Sequence, residues 1–77
     1  MLNILKLKGK IAENGLNMTS LAKKIGMNKD TLYRKVANDG GKLTLSDVGS
    51  IADALCLSDE DIYVIFFKNK EGGRSVW

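Results

Sequence analysis

Residues 28–34 bring together side chains that can form directed hydrogen bonds. They are Asn28, Lys29, Asp30, Tyr33 and Arg34. An amide, an ammonium, a carboxylate, a phenol and a guanidinium can read the donor and acceptor pattern of base edges in a nucleic acid. If residues 29–37 form a helix with Leu32 and Val36 facing inward, these polar side chains occupy the opposite face. The sequence therefore contains a candidate recognition surface before any fold is assumed.

Catalytic chemistry has few candidate residues in this composition. The 77 residues include no histidine and one cysteine, Cys56. Catalytic Ser-His-Asp and Cys-His arrangements and zinc sites with imidazole ligands are therefore excluded, and a lone thiol can close no internal disulfide. We expect no enzymatic activity, cofactor, metal or small-molecule ligand. We expect Cys56 to be a small core side chain rather than a redox sensor.

Charge is distributed unevenly, although the total is only +3. Residues 1–42 carry nine basic and three acidic side chains, a net charge of +6. Residues 43–67 carry five acidic side chains and no basic one, a net charge of −5, and residues 68–77 carry +2. A basic half indicates an anionic partner such as nucleic acid, although a solvated charged surface would have the same composition.

Apolar runs are too short for a membrane segment. The longest, at residues 62–67, has six residues, whereas a membrane-spanning helix needs about 20. Lysines interrupt the N-terminal apolar residues too early for a signal peptide. The single cysteine is more compatible with a reducing compartment. We therefore expect a cytoplasmic protein without membrane contact.

One local pattern recurs five times along the chain: an apolar residue, a good N-cap, three residues and another apolar residue. The five caps are Asn3, Asn17, Asn28, Thr44 and Ser58. This is the spacing of the hydrophobic staple at a helix start. Gly15, Gly26 and the run at residues 38–41 are suited to ending the first three helices. The predicted helices are residues 3–14, 18–25, 29–37, 45–55 and 59–67.

Apolar residues within these helices recur at spacings of three and four, which predicts one shared core. They are Leu7, Ile11, Leu21, Ala22, Ile25, Leu32, Val36, Val48, Ile51, Ala52, Leu55, Ile62, Ile65 and Phe66. The predicted fold class is all-α, a compact five-helix domain at residues 1–67 followed by a flexible or interface-forming tail at residues 68–77. Because residues 62–67 are rich in β-formers, a hairpin over residues 62–77 is the alternative. The Ser58 cap and the acidic residues after it favour the helix.

The second and third predicted helices are joined by a very short connection, which makes them a helix-turn-helix candidate. Ala22 provides a small side chain where the helices cross, Gly26 permits the turn, and Asn28 caps the next helix. Residues 21–32, Leu-Ala-Lys-Lys-Ile-Gly-Met-Asn-Lys-Asp-Thr-Leu, resemble the helix-turn-helix of the phage Cro and repressor type, also called the xenobiotic-response-element family. The resemblance extends from about Leu7 to Phe67, and its C-terminal part is similar to short regulators from prophages of Gram-positive bacteria.

The resemblance implies a repressor-like, sequence-specific DNA-binding transcriptional regulator with its third helix in the major groove. The family's base-reading positions fall on Asn28, Lys29, Asp30, Tyr33 and Arg34. Arg34 suits a bidentate contact to guanine, and Tyr33 suits a thymine methyl or a phosphate. Asp30 either accepts from cytosine or holds Arg34 through an i, i+4 ion pair.

The resemblance also places phosphate contacts at the start of the second helix and in the loop after the third. The corresponding residues are Asn17, Thr19, Asn38, Gly40, Gly41 and Lys42. The family commonly has glutamine at the position of Met18, where it anchors to a phosphate. Methionine cannot form that bond, so either Asn17 or Thr19 replaces it or the anchoring is weaker here.

Double-stranded DNA is thus the expected partner. A homodimer would read half-sites about 34 Å apart on a near-palindromic operator. The acidic residues 43–67 would face away from DNA, with Phe67 and the tail as candidate dimer contacts. The alternative is a helix-turn-helix-fold protein-interaction module, antirepressor or antitoxin-like, that does not read DNA. That alternative predicts an apolar or acidic recognition face, whereas the face here is polar and locally basic.

Overall fold

The computed structural model describes residues 2–68, and this part of the chain is helical without a strand. The helices are α1 (Ile4–Glu13), α2 (Met18–Lys24), α3 (Lys29–Gly40), α4 (Leu45–Leu55) and α5 (Asp59–Ile62), with a π-helical segment at Tyr63–Phe67 continuing α5. The predicted all-α fold class is confirmed. The strand alternative is wrong for residues 62–67, which are helical. The rest of that hairpin and of the predicted tail beyond Lys68 lies outside the described residues.

Each of the five predicted N-caps does cap a helix. Their side chains accept a backbone N–H of the first helical turn. Three of the caps form reciprocal capping boxes; in α2, Asn17 Oδ1 accepts from Ser20 N–H at 2.8 Å and Ser20 Oγ accepts from Asn17 N–H at 2.8 Å. The other two boxes pair Thr44 with Asp47 and Ser58 with Asp61. Short-range polar contacts therefore set where the helices begin.

The end of α2 uses a left-handed glycine. Gly26 has φ +72° and donates its N–H to Lys23 O at 3.2 Å, while Met27 N–H donates to Ala22 O at 2.8 Å. These two bonds form a Schellman motif, which satisfies carbonyls that the helix itself leaves unpaired. Gly15 ends α1 with the same φ. Both predicted glycine stops are confirmed.

The third helix ends later than predicted. The sequence predicts an end at residue 37 and a loop at residues 38–41, but α3 extends to Gly40. Asn38 and Gly40 have φ +54° and +73°, so the backbone changes direction within the last turn. Gly41 N–H then donates to Asn38 O at 3.1 Å and Leu43 N–H to Gly40 O at 3.0 Å. Consecutive hydrogen-bonded turns therefore continue where the residue types indicate a loop.

Buried side chains from α1 to α4, the π-helical segment and Leu2 form one core. They are Leu2, Leu7, Ile11, Met18, Leu21, Ala22, Leu32, Ile51, Ala54, Leu55, Ile65 and Phe66. Ala52 is buried as well. Four predicted core residues are only partly buried, namely Ile25, Val36, Val48 and Ile62. Three buried residues are not part of the predicted apolar pattern: Leu2, Met18 and Ala54. Most of the predicted core is thus confirmed, and its main anchors are aliphatic.

Cys56 does not lie in the core, contrary to the prediction. It is exposed, has φ +54°, and follows the last residue of α4. Leu57 N–H donates to Ala52 O at 3.0 Å, so α4 ends in the same motif as α1 and α2. Cys56 occupies the left-handed position that glycine fills at the other two ends, and this turn takes its side chain off the apolar stripe of α4.

We expect Cys56→Gly to raise the free energy of unfolding by about 0.5–1 kcal/mol. Relief of a left-handed residue is worth roughly 1–2 kcal/mol, and the extra freedom of glycine in the unfolded chain offsets about 0.4–1 kcal/mol of it. The melting temperature should rise by about 2–8 °C. Cys56→Ala is the matched control, because it removes the thiol and keeps Cβ. Equal melting temperatures for the two variants would contradict the strain argument.

Candidate nucleic-acid interface

The helix-turn-helix is built from α2, a four-residue connection and α3, which pack against each other. Gly26 turns the chain out of α2, and Asn28 starts α3 by accepting Asp30 N–H on Oδ1 at 2.8 Å. Ala22 on α2 is 1 % exposed and Leu32 on α3 is fully buried. The small side chain of Ala22, the left-handed Gly26 and the Asn28 cap thus fix the angle between α2 and α3.

All five predicted base-reading side chains are exposed on α3 or its cap. They are Asn28, Lys29, Asp30, Tyr33 and Arg34. Tyr33 retains half of its accessible surface. Leu32 faces the core from the first turn of the same helix. The structure therefore brings the predicted residues together on an outward face held from behind by an aliphatic anchor.

Two details refine the chemistry of this face. The Oδ1 atom of Asn28 is engaged in the cap, so its Nδ2 amide is the group left for a ligand. Asp30 lies in the first turn of α3, where a carboxylate is stabilised by the helix dipole. The ion pair suggested between Asp30 and Arg34 is not present within 4.0 Å, so the Arg34 guanidinium is not held by that carboxylate.

The predicted phosphate contacts lie at the two ends of the helix-turn-helix. Asn17 and Thr19 are exposed at the start of α2, and Asn38 and Lys42 are exposed at the end of α3 and beyond it. The capping box occupies Asn17 Oδ1, which leaves its Nδ2 as a donor. Gly40 is partly exposed, and because it has no side chain, only its backbone could contact a phosphate.

Met18 explains the departure from the family pattern. Its side chain is 9 % exposed and belongs to the core, although it is the first residue of α2. A thioether packs well in an irregular apolar gap. The position that carries a phosphate-anchoring glutamine in the family therefore serves packing here.

Ion pairs neutralise part of the positive charge of residues 1–42. Lys6 and Lys10 approach Asp61 at 3.8 and 3.3 Å, and Lys35 approaches Asp47 at 2.9 Å. The remaining basic side chains of residues 1–42 form no ion pair with any side chain that the structure describes: Lys8, Lys23, Lys24, Lys29, Arg34 and Lys42. Five of these six lie on α2, on α3 or just after it, so the positive charge left over is concentrated at the helix-turn-helix.

The carboxylates of Asp47 and Asp61 remain ionised at neutral pH. The backbone hydrogen bond from Thr44 and then the Lys35 ammonium lower the pKa of Asp47. At Asp61, partial burial acts to raise the pKa, but hydrogen bonds from the Ser58 backbone and Lys10 outweigh it and lower the pKa overall. Each carboxylate therefore caps a helix and holds a lysine at the same time.

Other kinds of site have little support within residues 2–68. No group of three His, Cys, Asp or Glu side chains is placed to hold a metal ion. No helix of this part of the chain has the length and hydropathy of a membrane span.

Comparison with known proteins agrees with this geometry. A family model described as the Cro/C1-type HTH DNA-binding domain matches residues 6–68. Comparisons with curated proteins and with solved structures found no significant match. The family match spans most of α1, both helices of the helix-turn-helix, α4, α5 and the π-helical segment. Because it covers well over half of the sequence, this chain belongs to the Cro/C1-type helix-turn-helix DNA-binding domain family.

Proposed function

We propose that this protein is a sequence-specific transcriptional regulator, a phage or prophage repressor or a Cro-like switch, that places α3 in the major groove. The observation that carries the proposal is the exposed face of α3, where five hydrogen-bonding side chains project from a helix anchored by Leu32. Family membership supports DNA binding in general. The side-chain types on α3 support the reading of base edges.

Each side chain of the face has a role that its chemistry favours. Arg34 suits bidentate contact with guanine O6 and N7, and Lys29 suits a guanine acceptor or a phosphate. Tyr33 offers a ring to a thymine methyl and a hydroxyl to a phosphate. Asp30, without an ion pair to Arg34, has its carboxylate available to the amino group of cytosine.

Phosphate contacts would fix the register of α3 in the groove. At the start of α2 the donors are the amide of Asn17 and the hydroxyl of Thr19. At the end of α3 they are the side chain of Asn38 and the backbone of Gly40, and just beyond α3 it is the side chain of Lys42. These two groups of donors lie before and after the recognition face in the sequence.

A homodimer on a near-palindromic operator completes the proposal. One small module makes few phosphate contacts, and two copies would read half-sites about 34 Å apart. Asp53, Asp59 and Glu60 are exposed on α4 and α5 and would face away from DNA. Tyr63 and Phe67 are exposed aromatic side chains and are candidate dimer contacts. Residues 1–67 would form the DNA-binding domain and residues 68–77 a tail, in the bacterial cytoplasm.

Selection of bound duplexes from a random DNA pool tests the function and the symmetry together. We expect enrichment of two inverted half-sites with centres about one helical turn apart. Enrichment of a single half-site would reject the dimer and retain sequence reading. A salt titration with generic duplex DNA is the control, because phosphate contacts give a linear loss of log affinity with log salt concentration. Absence of binding at low salt would favour a protein-interaction module instead.

A further inference from the structure

A single carboxylate oxygen connects the recognition helix to α4. Lys35 follows Arg34 on α3, and its Nζ lies 2.9 Å from Asp47 Oδ2. The same oxygen accepts the backbone N–H of Thr44 at 3.0 Å. The side chains of Lys35 and Asp47 are 24 % and 14 % exposed, so the pair is screened by water less than a fully exposed pair would be.

This ion pair joins the two ends of the segment 35–47, which contains proposed phosphate contacts. Asn38, Gly40 and Lys42 all lie between its two members in the sequence. On the inner side, a Cβ atom added to Gly40 would lie 3.2 Å from Leu2 Cβ and 3.0 Å from Leu43 Cδ1. The segment is therefore tied at its ends by charge and supported from inside by the core. Its position relative to the recognition face depends on both.

We propose that Lys35 and Asp47 are positioning residues for DNA binding, which hold the phosphate-contacting residues 38–42 in register with the base-reading face of α3. The inference rests on the proposed function. Lys35 is accordingly not a DNA contact, although it is adjacent to Arg34 in the recognition helix. Asp47 acts through Lys35 and Thr44 and touches no DNA.

The proposal predicts a distinctive direction for the change in DNA affinity when Asp47 is neutralised. DNA is a dense line of negative charge, so removing a carboxylate from a DNA-binding protein strengthens binding when that carboxylate has no other role. A positioning carboxylate has the opposite effect, because its loss lowers the fraction of protein in the binding-competent arrangement. The direction of change on neutralising Asp47 therefore separates the two cases.

The test measures the dissociation constant of Asp47→Asn for the selected operator as a function of salt. Asparagine keeps an oxygen for the Thr44 N–H and loses the charge. We expect binding three- to fivefold weaker, equivalent to roughly 0.7–1 kcal/mol, with an unchanged salt slope. Lys35→Met should show the same loss, and the double variant should be no worse than either single one, because one interaction is removed in all three.

Three further variants serve as controls. Asp61→Asn is the matched change, since Asp61 is also a capping-box carboxylate that pairs with lysines, but on α5. It should leave operator affinity within about twofold, and so should Lys35→Arg, which retains the pair. Lys42→Ala should instead lower binding to all sequences and reduce the salt slope by about 0.9. Circular dichroism at the assay temperature should show every variant fully helical.

Tighter binding by Asp47→Asn would overturn the inference. A salt slope lowered by about one unit in Lys35→Met would also overturn it, since Lys35 would then be a phosphate contact itself. Both results would leave the proposed function intact, because the parent protein would still bind its operator. Failure of the parent protein to bind any duplex at low salt would refute the proposed function and the inference with it.

Discussion

Replacing Gly40 by alanine is expected to lower the free energy of unfolding by about 2–4 kcal/mol, the largest effect on stability among these predictions. Gly40 has φ +73°, a left-handed conformation that costs other residues roughly 1–2 kcal/mol. Its added Cβ would also come within 3.0 Å of Leu43 Cδ1 and 3.2 Å of Leu2 Cβ. Overpacking of that kind typically costs about 1–3 kcal/mol. The Cβ atom of Leu2 cannot move away without its backbone, whereas Leu43 Cδ1 lies at the end of its side chain.

The chain supplies a matched control for the strain alone. Gly15 and Gly26 have φ +72°, and a Cβ atom at either would meet nothing within 4 Å. Alanine at those positions should therefore cost only about 1 kcal/mol, after the lower entropy of the unfolded chain is counted. Urea unfolding of the three variants measures the difference. If Gly40→Ala lowered the free energy of unfolding by no more than Gly15→Ala does, the backbone around Gly40 would be free to shift and Leu2 would give it no support.

A second substitution tests the contact itself. Leu43→Ala removes the Cδ1 atom that lies nearest to the added Cβ. The double variant Gly40→Ala with Leu43→Ala should therefore be more stable than the sum of the two single effects predicts, by roughly 0.5–1.5 kcal/mol, because contacting positions are not additive. Strict additivity would contradict the overlap at Leu43.

Helix starts could be predicted from the sequence because their signals are local. The staple pattern names Asn3, Asn17, Asn28, Thr44 and Ser58, and each of them caps the predicted helix. A cap needs only a short acceptor side chain beside a free N–H group, so a few residues carry the whole signal. Tertiary packing therefore has little effect on where these helices begin.

Helix ends were less predictable because they depend on backbone conformation rather than on residue type alone. Gly15 and Gly26 signal the left-handed position, whereas Cys56 adopts it without any such signal. The apolar spacing continues to Cys56, four residues after Ala52, and so predicted a core position. The late end of α3 has a similar cause, since Asn38 and Gly40 turn the chain without breaking its hydrogen-bonded turns. The π-helical pairing at Tyr63–Phe67 has no sequence signature.

The candidate site was predictable as a set of residues but not as a set of pairings. Polar residue types and the buried position of Leu32 were enough to predict the exposed face of α3. The partner of Lys35 lies 12 residues away, and its position depends on how the intervening turns fold. Met18 shows the same limit, because its burial follows from the packing of α2 against the rest of the core. Long-range pairings and burial at helix starts need the three-dimensional arrangement.

Arg34→Ala is expected to weaken binding to the selected operator by about 1–3 kcal/mol while leaving binding to random duplex nearly unchanged. Arg34 is exposed on α3 and forms no ion pair with a side chain that the structure describes. Its guanidinium is therefore not committed to the protein and can pair with both acceptors of guanine. The loss should be confined to operators with guanine at one position of each half-site, which a set of single-base operator variants would show.

Arg34→Lys distinguishes base reading from charge. Lysine keeps the positive charge but has no planar fork, so it cannot reproduce the two parallel hydrogen bonds that arginine makes to guanine. If Arg34 reads a base, Arg34→Lys should lose most of the operator affinity that Arg34→Ala loses, and it should retain the random-duplex affinity and salt slope of the parent. Lys8→Ala, a change on the exposed surface of α1, is the control for simple loss of charge. Equal losses on operator and random DNA in Arg34→Ala, restored by lysine, would identify Arg34 as a phosphate contact. Base reading would then have to rest on the other four residues of the face, Asn28, Lys29, Asp30 and Tyr33.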